Sequence, residues 1–190
     1  MLTTYRVEIN PTKRQQFLID RYLSASRWSY NLFLDINHQR YENGYWYLNA
    51  YEFSKWFNHE YLSANPDDIW IKDYYVKSTK QAFIDADTAM KRFFKGIRSF
   101  PKWRSFKRQQ GNYYFAKNDG KHLIHCERHR IKLPKLGWLR LKECGYLPTD
   151  LSQLPIRSGR IRKQAGRYFL TCVVEIKEVT NYQPKTSALG

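Results

Sequence analysis

Between Lys91 and Phe115 the chain (KRFFKGIRSFPKWRSFKRQQGNYYF) has no aspartate or glutamate, and residues 91–190 hold only six acidic side chains. Long apolar runs are also missing: none approaches the ~18 residues a bilayer span needs, and no charged-then-apolar leader opens the sequence. These absences point to the cytoplasm, with a nucleoid-associated location also fitting. Cysteine is scarce. Cys126, Cys144 and Cys172 are odd in number and form no CxxC pair, which argues against a disulfide scaffold or a zinc ribbon and leaves them as buried small hydrophobes. No Ser/His/Asp elbow, phosphate-binding glycine loop or paired-carboxylate pattern is present.

The 190 residues are 42% hydrophobic and 17% aromatic, enough for a packed core in one domain or two small ones. The net charge of +16 is unevenly placed. Residues 1–90 carry 10 Lys/Arg against 11 Asp/Glu, whereas residues 91–190 carry 23 against 6. Such asymmetry is the footprint of a polyanion partner. Nucleic acid leads, because cations that neutralise phosphates release condensed counterions and supply most non-specific affinity.

The acid-free block holds eight Lys/Arg and eight aromatics. Arg98, Lys102, Arg104, Lys107 and Arg108 are assigned to phosphates, with Trp103 or Phe106 stacking a base. Lys91 and Lys95 lie in the last turn of the preceding helix, where they also suit its dipole. Phe93, Phe94 and Phe100 are expected in the core. A second basic set runs through Arg128, Arg130, Lys132, Lys135, Arg140 and Lys142, then Arg157, Arg160, Arg162, Lys163 and Arg167. In HRIKLPKLGWLRLK the cations alternate with Ile131, Leu133 and Leu139, making one strand face apolar and the other cationic. Lys117, Arg130, Lys132, Lys135, Arg160, Arg162 and Lys163 are the nucleic-acid contacts assigned there. A solvated sheet face, or lysines guarding an edge strand, is the competing explanation.

Other polar groups carry less. His122, His125, Cys126 and His129 have an H-x-x-H-C-x-x-H spacing, but on a strand His122 and His125 point to opposite faces, so no metal site is expected. Asp85 and Asp87 read as the solvent face of a helix, and acids after residue 115 lie in expected loops or strand edges. The chain as given is therefore expected to be no enzyme and to need no cofactor.

Periodicity suggests a first strand in TTYRVEI, then a helix started by a Thr12/Gln15 capping box. That helical stretch breaks near Ser24–Ser26, and Asn43-Gly44 ends it. A short helix over Ala50–Tyr61 and a turn at Asn65-Pro66-Asp67-Asp68 follow. The clearest helix runs from Thr79 to Lys95, capped by Ser78 and stopped at Gly96. From Asn112 six short strands succeed one another. The fold expected is α+β: a small wedge-like antiparallel β-barrel of residues 1–10 and 112–178. Residues 11–111 form a helical, helix-turn-helix-like recognition insertion, and residues 179–190 a polar linker.

The segments YRVEINPTKRQQ (5–16), SASRWSYNLFLD (24–35), TAMKRFFKGIRSFPKWRSFKR (88–108), RIKLPKLGWLRL (130–141) and AGRYFLTCVVE (165–175) resemble, in order and spacing, the N-terminal half of the transposon-encoded OrfB/TnpB family. These are RNA-guided nucleases related to type V CRISPR effectors. The resemblance implies a wedge barrel with a helical recognition lobe, a guide RNA from the transposon end, and double-stranded DNA as a second partner. It maps contacts to the target-adjacent motif onto Tyr51, Ser54, Lys55, Lys77, Lys80 and Gln81. The family's RuvC-like nuclease starts with a Gly-Ile-Asp-type strand, expected where this chain reaches Ala188-Leu189-Gly190. A fragment, a decayed remnant or a truncated binding protein would each explain that. The competing expectation is a stand-alone helix-turn-helix DNA-binding protein or repressor.

Overall fold

The computed structural model describes residues 2–116, 124–149 and 156–175, so Lys117, His122 and the expected linker at 179–190 lie outside the described residues. Strand β1 (Leu2–Asn10) is followed by helices α1 (Lys13–Glu42), α2 (Ala50–Trp56), α3 (Leu62–Ala64) and α4 (Val76–Phe94). Strands β2 (Tyr113–Ala116), β3 (His125–Cys126), β4 (Arg130–Leu133), β5 (Gly137–Leu141), β6 (Ile156–Gln164) and β7 (Arg167–Glu175) complete the order. Among the described residues no helix is long and apolar enough to cross a membrane.

The lone first strand finds its partners in the late sheet, as the sequence requires of an unpaired strand. β1 runs antiparallel to β7 from Leu2↔Glu175 to Ile9↔Tyr168, and its end pairs with β5 through Ile9↔Leu141. The sheet order is β2-β6-β7-β1-β5-β4-β3 and each pairing is antiparallel. The expected barrel is not closed: among the described residues β2 and β3 are the sheet's two ends and do not pair. Both are short, with four and two residues, so the sheet curls through side chains instead of a closing ladder. Tyr113 on β2 donates from Oη to the Pro134 carbonyl beyond β4 at 2.5 Å. Val7, Ile9, Phe115, Ile131, Leu139 and Leu170 fill the concave face. Gly159 is needed there, because a Cβ on it would sit 2.2 Å from Phe115 Cζ, directly across the β2–β6 ladder.

Helix α1 begins at the expected capping box, with Thr12 Oγ1 accepting from Gln15 N and the Gln15 side chain accepting from Thr12 N. The break expected at Ser24–Ser26 does not occur; the helix runs unbroken for 30 residues, about 45 Å at the standard rise. Ser24 Oγ back-bonds to the Asp20 carbonyl at 3.0 Å, and buried Ser26 Oγ accepts from Asn112 N at 3.5 Å, so these hydroxyls are used without disturbing the helix. One helix thereby serves two cores. Ile19, Tyr22 and Leu23 pack onto the sheet, whereas Tyr30, Phe33 and Leu34 join Phe53, Phe57, Phe83 and Met90 in a helical cluster.

α2 is extended by a wide turn over Phe57–Tyr61 into α3, and the expected turn at Asn65 opens a tight helix over Pro66–Asp73. α4 starts earlier than its sequence suggests, and Ser78 is not its cap. Ser78 is buried inside the first turn, where its Oγ accepts from Tyr114 N at 3.0 Å and satisfies a β2 amide. Both long helices stop in the same way. Gly44 N and Tyr45 N bond to the Tyr41 and Arg40 carbonyls, and Gly96 N and Ile97 N bond to those of Phe93 and Arg92. These are Schellman caps; Gly44 (φ 74°) and Gly96 (φ 68°) supply the left-handed residue each requires.

Candidate nucleic-acid interface

The segment between Gly96 and Gly111 has no strand or long helix, and its backbone is tied down at few points. Asn31 clasps it by donating from Nδ2 to the Arg104 carbonyl and accepting from Arg104 N, at 3.0 and 2.8 Å. Arg27, in mid-α1, donates from Nη1 to the Gln110 carbonyl at 2.7 Å and lies over the Phe106 ring. Held this way, the segment exposes Arg98, Lys102, Lys107 and Arg108, together with Trp103 and Phe106, and Lys95 is exposed just before it at the C-cap of α4. None of the five cations has an ion pair among the described residues.

Several other assigned cations already have partners. Arg104 is half-sunk between Tyr30, whose ring centroid is 3.8 Å away, and Asp85 at 3.6 Å. Its Nη1 is buried with no hydrogen-bond partner. Burial pulls the guanidinium below the ordinary arginine pKa, with Asp85 opposing. Arg160 grips the same Asp85 with both nitrogens, at 2.7 and 2.9 Å. Lys163 pairs with Asp20 at 2.8 Å and lies over Tyr168. Arg130 pairs with Glu127 and stacks on Trp138, and Lys91 pairs with Asp87 at 2.7 Å. Asp85 and Asp87 are thus not the solvent face expected. Asp87 is buried and also accepts from Tyr47 Oη, while Asp85 links α4 to the 96–111 segment and to β6.

The two basic sets meet at one place. A cleft of about 270 Å³ is lined by Arg104, Gln109, Asn112, Arg162 and Lys163, and the neighbouring hollow adds Asp20, Arg27 and Lys107. Sequence reasoning missed Arg27 and Asp20; the available signal was two opposite charges seven residues, about two turns, apart on one face of α1. On the sheet, Lys132 and Lys135 are exposed. β4 and β5 keep their alternation, with Ile131, Leu133 and Leu139 buried and Lys132 and Arg140 outside. The convex face also carries Arg6 and Arg167 over Phe169, and Glu8 held by Arg167 and Lys142.

The motif-contact candidates sit on two packed helices. Tyr51, Ser54 and Lys55 project from α2 and Lys77, Lys80 and Gln81 from the first turns of α4, while Phe53 and Phe83 join the helices at 4.8 Å. Gln81 is engaged, donating to Asp85 at 3.0 Å. The expected core rings Phe93, Phe94 and Phe100 are exposed instead, because the last turn of α4 runs past the helical core, whose last α4 member is Met90. Among the described residues no three metal-ligating side chains converge. Cys126 and Cys172 are buried, burial raising the Cys126 thiol to about 11 and Cys172 further, but Cys144 is exposed.

The class these features define is an α+β protein with an antiparallel sheet, an N-terminal strand threaded into it, helices inserted behind that strand, and a long cationic loop where the helices return. Comparison with known proteins places such chains more closely. Residues 1–45 match the model of a helix-turn-helix domain of the IS605 OrfB type. The chain is 25% identical over 189 residues to InsQ of Escherichia coli (strain K12), described as a putative RNA-guided DNA endonuclease. That match covers all of this chain and 44% of the relative, so the chain spans less than half of that protein's length. The OrfB/TnpB resemblance read from the sequence is borne out by both similarities. In this chain the matched segment folds as β1 followed by the single unbroken helix α1.

Proposed function

We propose that this chain is the nucleic-acid recognition part of a TnpB-like transposon protein, holding a guide RNA and target-adjacent duplex DNA without cutting them. The observation that carries this reading is the row Lys95, Arg98, Lys102, Lys107 and Arg108: exposed cations on one loop, none with an ion pair among the described residues. A loop held at both flanks and left uncompensated in charge suits phosphate contacts, which position a polynucleotide without reading its sequence. Lys132, Lys135, Arg162 and Lys117 extend the contact set, and Tyr51, Ser54, Lys55, Lys77, Lys80 and Gln81 contact the target-adjacent motif. The division into a sheet unit (1–10 and 112–178), a helical recognition insertion (11–111) and a linker (179–190) belongs to the same proposal. Two separate clusters of buried side chains support it, with α1 entering both.

The test is salt-dependent binding of structured RNA and of duplex DNA to the triple variant Lys102→Ala, Lys107→Ala and Arg108→Ala. Three lost phosphate contacts reduce the slope of log K against log salt by about 2–3. An unchanged slope in a folded variant would overturn the assignment. The match to a helix-turn-helix model favours a second reading, a guide-free DNA-binding protein. Recovery of no discrete RNA with the purified protein, alongside tight binding to one duplex sequence, would establish that reading instead.

A further inference from the structure

The twin helix caps leave something between them that the cationic loop does not explain. Where α1 and α4 end, Tyr41, Tyr45, Tyr47, Phe93, Phe94 and Phe100 surround a pocket of about 440 Å³ floored by Met90. That volume falls within the range of about 300–1,000 Å³ typical of small-ligand sites. Its rings meet edge to face, Tyr47 on Phe94 at 5.3 Å and Phe93 on Phe100 at 5.3 Å, an arrangement that leaves ring faces uncovered. Phe94 is 58% and Tyr41 81% exposed, an expensive use of large rings unless something covers them.

The lining says what. Leu, Ile and Val, the usual side chains of a protein–protein core, do not line it. Tyrosine and phenylalanine do, and the tyrosine hydroxyls and His38 supply polar edges. Arg92, Lys95 and Arg98 flank the three phenylalanines along the chain, all exposed and without an ion pair among the described residues. The acids nearby are already occupied: Glu42 lies 3.4 Å from His38, and Asp87 is held by Tyr47 and Lys91. A second copy of this chain, itself at +16, would be repelled by these three exposed cations beside the lining rings in sequence, whereas a polyanion is drawn to them.

We infer that this pocket takes an unpaired nucleobase from a single-stranded stretch of nucleic acid, stacked on Phe94 and Phe100 with its flanking phosphates on Arg92, Lys95 and Arg98. The inference rests on the nucleic-acid reading above and adds base capture to phosphate contact. Ring stacking accepts any base, so the site provides anchoring and not sequence choice.

The test uses the full chain and fluorescence anisotropy with a short single-stranded oligonucleotide, the same strand with abasic positions, and the corresponding duplex. Phe94→Leu keeps apolar volume while removing the ring face, and Phe94→Ala removes both; circular dichroism checks folding. Wild type is expected to bind the intact strand about 5- to 100-fold tighter than the abasic one. Both variants are expected to lose that preference while keeping duplex affinity. Ribo- and deoxyribo-oligonucleotides run in parallel identify which strand the pocket serves. Equal binding of intact and abasic strands by wild type overturns the inference, as does a dimer in sedimentation that Phe94→Leu dissolves. Failure of wild type to bind any of these probes overturns the broader reading instead.

Discussion

Asp85 should be the residue whose removal weakens the fold and strengthens binding at once. It lies on α4 with a side chain 14% exposed, between Arg160 at 27% and Arg104 at 19%. Breaking a buried pair by deleting one partner costs about 3–5 kcal/mol, and an exposed pair is worth about 0–1. With this partial exposure Asp85→Asn is expected to cost about 2–3 kcal/mol, lowering a urea midpoint by about 1–2 M at ordinary slopes. Burial raises the Asp85 carboxyl, but bonds from Arg160 and Gln81 and the charges of Arg160 and Arg104 outweigh it and leave the pKa below its usual value. A depressed folded-state value means that the contribution is complete above the unfolded value of about 3.9 and is lost as pH falls below it. The gap between wild type and Asp85→Asn should therefore close on acidification. The same substitution releases two guanidinium groups, so polyanion affinity at low salt should rise and the salt slope steepen by up to about 2. A stability change under about 0.5 kcal/mol, or weaker binding by the folded variant, would refute the assignment of Arg104 and Arg160 to the fold.

Glu8 offers a second pH test. Hydrogen bonds from Arg167 and then Lys142 hold its carboxyl at about 2, against the opposing effect of burial. Its contribution is complete above about 4.3 and disappears as pH falls through about 2, so wild type should lose stability over that window more steeply than Glu8→Gln. Parallel profiles in acid unfolding would show the carboxylate to be unengaged. Gly159→Ala places a Cβ 2.2 Å from Phe115 Cζ and 2.6 Å from the Thr171 carbonyl oxygen. Overpacking of this kind costs about 1–3 kcal/mol, or about 2–10 °C in Tm for a chain of this size, and an unchanged Tm would mean that the ring shifts freely.

The strands were legible because each carries its own punctuation and alternation. RIKL, with Ile131 and Leu133 inward and Lys132 outward, needs no distant information. Closure of the barrel was not legible, since it depends on whether β2 and β3 are long enough to meet, and strand length is decided by tertiary partners. The same limit governs the serines. Ser26 looks like part of a break and Ser78 like a cap until their long-range donors are known, here Asn112 N and Tyr114 N, while Ser24 bonds within the helix to the Asp20 carbonyl one turn back. Local hydroxyl bonding competes with the helix only when nothing else uses the hydroxyl. Phe93 and Phe94 extend α4's apolar run but point past the end of the core, because the Gly96 cap stops the helix there.

Charge shows most clearly why counting along the sequence overstates an interface. The acid-free block draws acids from the near-neutral first half: Asp87 to Lys91 and Asp85 to Arg104. The later strands do the same, with Asp85 to Arg160, Asp20 to Lys163, and Glu8 to Lys142 and Arg167. Apart from Asp87–Lys91, which lies within α4, these pairs attach helices and β1 to the second half, so part of the apparent polyanion footprint is the fold's own electrostatic stitching. What distinguishes the remaining cations is that α1 holds the loop through Arg27 and Asn31 backbone bonds, with no carboxylate needed near Lys102, Lys107 or Arg108. A loop fixed by neutral clasps and one inward guanidinium can leave its outward charges uncompensated. A partner that supplies phosphates would neutralise those charges without competing with the Asn31 and Arg27 bonds to the loop backbone.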